Sequence, residues 1–98
     1  MTLREIQRFI IERNYDYSEK VREFMEAGWF CIEDLEECIL SAVDFDKIED
    51  DELRTAVDGK KYSISGNDCF GRSFYACGKV KRDEDGNFYF FITGHPNE

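Results

Sequence analysis

Apolar residues recur at helical intervals early in the chain and at alternate positions late in it. Leu3, Ile6, Phe9 and Ile10, with Arg13, follow helical spacing, and Leu3, Ile6 and Ile10 share one stripe. Thr2 and Glu5 match a capping box, in which each side chain satisfies an orphan amide. Asn14-Tyr15-Asp16 interrupts that pattern. Ser18 is placed to cap a second helix carrying Val21, Phe24 and Met25, and Gly28 stands where a left-handed C-cap is expected. Trp29-Phe30 then reads as an apolar connector folded into the core. A third helix carries Ile32, Leu35, Cys38, Ile39 and Ala42. Its acidic opening, with Glu33, Asp34, Glu36 and Glu37, suits the positive end of the helix dipole.

Residues 44–58 are charged and irregular around Glu49-Asp50-Asp51-Glu52, which predicts a short extended stretch and then a solvated loop or helical turn. From there the period changes to two. Tyr62 and Ile64 share one strand face, and Gly66-Asn67-Asp68 is turn chemistry. Phe74, Ala76, Gly78 and Val80 alternate with Ser73, Tyr75, Cys77 and Lys79. Asp83-Glu84-Asp85-Gly86-Asn87 signals a hairpin, and residues 88–93 return as a strand that is apolar on both faces. The expected architecture is a single α+β domain spanning residues 1–98. About three N-terminal helices pack on an antiparallel meander of three to four strands.

A length of 98 residues allows one domain with one core. Nine Phe, five Tyr and one Trp argue against disorder, since such side chains must be hidden or used. The longest late apolar run, Phe88-Tyr89-Phe90-Phe91-Ile92, is far short of the ~20 residues of a membrane helix. With no basic-then-apolar leader layout at the start, a cytoplasmic location without membrane contact is expected. Cys31, Cys38, Cys69 and Cys77 are then expected as free thiols. Net charge is −9 and unevenly spread. Residues 1–58 hold 7 basic and 17 acidic side chains, whereas residues 59–98 hold 6 and 5. The acidic part repels phosphate, so any nucleic-acid contact is restricted to the C-terminal half.

The stretch Ser65-Gly66-Asn67-Asp68-Cys69-Phe70-Gly71-Arg72-Ser73-Phe74 carries a pattern of Gly-x-Asp, then Gly-Arg, then an alternating strand. With the strand, turn and strand that end near Thr93 and Pro96, it is similar to a family of short bacterial domains of unknown function. That family resembles the RelE/ParE/BrnT toxin fold. The resemblance covers residues 17–97 and makes residues 1–16 an added N-terminal helix. It implies a toxin-type, RNA-targeting component of a toxin–antitoxin-like pair, with a cognate antitoxin as partner. This chain departs from the pattern: Lys20 stands where a His is expected, and Phe24 and Ala27 replace basic positions.

RNA cleavage needs cations to hold phosphate and a group to transfer a proton. On the toxin reading, Arg72 and His95 are the candidate catalytic residues, and Lys79, Lys81 and Arg82 the phosphate-binding ones. Against this, strand-edge charges also serve to discourage edge pairing, and a Gly-His-Pro turn carries an exposed His with no role. The Cys spacings of seven and eight residues do not fit a zinc site, and the acidic run lacks the Gly and alternating ligands of a calcium loop, so neither metal nor cofactor is expected. The competing reading is a non-catalytic interaction module, a homodimer or partner-binding domain. Its support is the acidic first half and the surplus of aromatic residues.

Overall fold

A computed structural model describes residues 1–97. Three helices come first, α1 (Leu3–Ile11), α2 (Glu19–Glu26) and α3 (Ile32–Ser41). Five strands follow or interleave: β1 (Tyr15–Tyr17), β2 (Lys47–Asp50), β3 (Lys60–Asn67), β4 (Ser73–Asp83) and β5 (Gly86–Pro96). The sheet order is β1-β5-β4-β3-β2. The expected α+β architecture, helices first and packed on a sheet, is the one observed. The sheet differs from a pure meander of three to four strands: it has five, and β1 joins parallel to β5, with Tyr15 opposite Tyr89 and Tyr17 opposite Phe91. Asn14-Tyr15-Asp16 therefore ends one helix and opens an edge strand. Three residues show no usable period, and their partner lies more than seventy positions later.

The caps follow local chemistry. Thr2 and Glu5 form the capping box of α1, the Ser18 hydroxyl accepts from the Val21 amide, and Gly28 takes φ +84° just past α2. Ile6, Ile10, Val21, Leu35, Cys38 and Ile39 bring the three apolar stripes onto one sheet face. That face presents Tyr62, Ile64, Phe74, Ala76, Val80, Tyr89 and Phe91, all buried. Ile6 and Ile10 belong to the same core as the rest, so the packing has no seam at residue 16. Gly66 lies where a Cβ would collide with the Cys38 carbonyl oxygen, which lets α3 cross β3 at close range.

Alternation sends Tyr75, Cys77, Lys79 and Lys81 of β4, and Phe88, Phe90 and His95 of β5, to the opposite face. A register shift beside Cys77 and Gly78 adds one residue to β5 and keeps both of its ends in phase. β4 outruns β3 at its far end, and residues 51–59 fill the gap, with the Val57 amide bonded to the Val80 carbonyl at 2.8 Å. Two sequence expectations change. The hairpin turn after β3 begins at Asp68 rather than Gly66, and Trp29 is not in the core: it is 68% exposed, while its neighbour Phe30 is buried.

Candidate functional site

The sequence-predicted site residues fall at two ends of the sheet. Arg72 immediately precedes β4, and the Tyr75–His95 pairing puts His95 at that same end. Lys81 and Arg82 lie at the other end of β4, opposite Phe88 and Asn87. Nine strand residues separate Arg72 from Arg82, roughly 30 Å. Each cation also has a local partner. Arg72 donates from Nε to Asp68 Oδ2 at 2.9 Å and lies over the Phe70 ring at 5.3 Å. Lys81 sits 4.3 Å from the Phe90 ring centre, and Arg82 donates to Asn87 Oδ1 at 3.0 Å. His95 is exposed and stacks on Tyr75 with ring centres 5.0 Å apart. The Tyr75 hydroxyl lies 3.0 Å from Ser63 Oγ, and burial raises its pKa.

Lys79 is not presented to solvent at all. Its ammonium donates to both oxygens of Asp51 at 3.1 and 3.2 Å, and both side chains are under 5% exposed. Asp51 also accepts from the amides of Leu53, Thr55 and Ala56. Burial works to raise the Asp51 pKa, but the Ala56 amide, the Lys79 ammonium and the Thr55 amide outweigh it and lower it to about 2. The acidic run therefore does not float as one loop. Asp51 is the knot that ties residues 51–59 to the sheet, while Asp50 pairs with Lys60 at 2.6 Å on the surface.

The glycine–aspartate–arginine motif has a structural explanation at each position. Gly66 makes room for α3. Buried Asp68 accepts from the amides of Phe70 and Arg72, both at 2.9 Å, and the Asp68 amide donates back to the Arg72 carbonyl. Gly71 turns the loop at φ +79°. Arg72 closes it through Asp68. The motif builds a rigid β3–β4 loop and presents Phe70, 78% exposed, at its tip.

A different feature has the shape of a binding site. Phe24, Trp29, Phe30, Gly94, His95 and Pro96 line a groove of about 320 Å³. Phe24 comes from α2, Trp29 and Phe30 from the connector, and the last three from the end of β5. The groove floor is fixed: Phe30 meets Phe74 edge-on at 5.3 Å and Phe24 lies 6.2 Å from Phe30. Gly94 packs against Leu35, so β5 reaches the groove with no side chain in the way. Lys20 stands over Phe24 at 5.9 Å, and exposed Glu23, Glu26 and Glu33 flank the lining residues in sequence. His95 is the one predicted site residue in this groove. Trp29 and Phe30 carry a signal as surplus aromatics and Phe24 as an apolar position of the second helix, but nothing in the spacing joins them to Pro96.

Among the described residues, no group of three or more His, Cys, Asp or Glu is arranged to hold a metal ion, and no helix is long and apolar enough to cross a membrane. Comparison with family models, curated proteins and solved structures gives no match to this chain.

Proposed function

We propose that this protein is a non-catalytic interaction module. Its working surface is the groove at Phe24, Trp29, Phe30 and Pro96, and its partner is a positively charged polypeptide segment that seats an apolar side chain there. The observation that carries this reading is Trp29, 68% exposed beside an apolar groove whose floor is locked by the core. An exposed aromatic over a pocket has the composition of a binding hot spot. Charge selects the partner's sign. A chain at −9 repels a second copy of itself as it repels phosphate, so a basic partner is favoured over a homodimer or nucleic acid.

Trp29 is the single tryptophan and reports directly on the groove. Titration with a basic peptide bearing a central aromatic residue is expected to shift its emission, saturably. An uncharged peptide with the same aromatic should bind more weakly, and the gap should close at high salt. No change in emission with either peptide refutes the reading.

The second reading is an RNA-targeting toxin-type domain held by a cognate antitoxin. What supports it is the placement of Arg72 and His95 at one sheet end, with Tyr75 stacked on the imidazole. It requires RNA cleavage that falls sharply in a His95→Ala, Arg72→Ala double variant. Equal rates for the wild type and that variant remove this site.

A further inference from the structure

Groups from two distant parts of the chain meet on the carboxylate of Asp34. Cys31, the N-cap of α3, donates its amide to Oδ2 at 3.1 Å and its thiol to the same oxygen at 3.3 Å. Cys69, in the β3–β4 loop, donates its amide to Oδ1 at 3.0 Å. Asp34 is buried, at 5% exposure, whereas both cysteines are exposed. The two oxygens of one carboxylate are closer together than the ~4.4–6.8 Å between Cα atoms that a disulfide spans. The start of α3 and the β3–β4 loop converge on that one carboxylate, and the Cys31 sulfur is near enough to act on the Cys69 thiol. Local desolvation, then the Asp34 carboxylate, then the Cys31 sulfur hold the Cys69 thiol up at about 11. The two sulfurs share one electrostatic neighbourhood.

We infer that Cys31 and Cys69 are a redox pair that a small-molecule disulfide converts into a cross-link between the start of α3 and the β3–β4 loop. The Cys31 thiolate attacks the small disulfide and releases one thiol. The Cys69 thiolate then attacks the Cys31 sulfur of the mixed disulfide, forms the protein S–S bond and releases the second thiol. The two protons lost by the cysteines end on the two released thiols, and the electrons reduce the small disulfide. Asp34 keeps both amide bonds throughout, since neither uses a sulfur. The cross-link anchors the connector carrying Trp29 and Phe30, which runs directly into Cys31. It stands independently of the docking reading, because its readout is a mass.

The test treats the full chain with oxidised glutathione at pH 8, quenches with acid, alkylates the remaining thiols and maps the peptides. The expected product is two hydrogens lighter, retains no glutathione, and gives one cross-linked peptide joining Cys31 to Cys69. Buried Cys38 and Cys77 stay reduced. A Cys69→Ser variant should instead trap glutathione on Cys31. Stable glutathione on both Cys31 and Cys69 of the wild type overturns the inference, as does alkylation of both Cys31 and Cys69 or a cross-link that forms only in urea.

Discussion

Lys79→Met tests the buried ion pair most simply, because Met keeps an unbranched apolar stem of nearly the same length and removes the ammonium with its two hydrogen bonds. In the wild type the ammonium meets both Asp51 oxygens inside a site under 5% exposed. Removing one partner of a buried pair costs about 3–5 kcal/mol, chiefly because the other charge is left uncompensated. Asp51 still accepts from three amides after the substitution, which places Lys79→Met near the lower limit, about 3 kcal/mol. Asp51→Ala is worse. It strands the ammonium and also frees the Thr55 and Ala56 amides, so about 4–5 kcal/mol is expected. Either loss is a large part of the ~5–15 kcal/mol that holds a small domain folded. Urea unfolding followed by Trp29 emission and far-ultraviolet circular dichroism measures both. Lys79→Met within about 0.5 kcal/mol of the wild type would refute the reasoning, for a surface cation behaves that way. So would a Lys79→Met cost exceeding that of Asp51→Ala.

Four further outcomes follow from the same geometry. The Asp51 carboxyl is lowered in the folded state from 3.8 to about 2, so its contribution is complete above about pH 4 and is lost as pH falls toward 2. Allowing for solvent at the loop rim, the stability difference between wild type and Asp51→Asn should shrink by about 1–2 kcal/mol across that range, read by urea titration at each pH. Gly66→Ala drives a methyl group into the Cys38 carbonyl and should cost about 2–3 kcal/mol by the same assay. Trp29→Ala should change stability by under about 1 kcal/mol while abolishing heat of binding to the basic peptide in calorimetry. Oxidation of Cys31 and Cys69 closes a long loop and should raise the urea midpoint, with an entropic limit of about 4 kcal/mol.

The parts of the fold that rest on local chemistry were legible in the sequence. The capping box at Thr2 and Glu5, the Ser18 cap, the left-handed Gly28 and the alternation in β4 are written within a few residues each, and each is found. What escaped depends on partners far along the chain. β1 is strand only because Phe91 and Tyr89 lie alongside it. Asp51 reads as one member of an acidic run, and only where β4 outruns β3 does the 51–59 segment turn it inward onto Lys79. Asp34 reads as helix-dipole chemistry, yet it also holds Cys69, thirty-five positions away. The Gly66, Asp68 and Arg72 motif was visible as a pattern, but its meaning was not. Residue types suggested a cation for phosphate, whereas the geometry gives Arg72 a carboxylate and an aromatic ring. A charge count over the last forty residues cannot tell cations that converge from cations that each lie against a local partner.

Chemical-shift mapping of the isotope-labelled chain, titrated in parallel with the basic aromatic peptide and with single-stranded RNA at physiological salt, tests the assignment of the working surface. Peptide should move the resonances of Phe24, Trp29, Phe30, Gly94 and His95 together and leave β2 still, while RNA moves none. Resonances of Arg72, Lys81 and Arg82 shifting with RNA, and a silent groove under peptide, would contradict it.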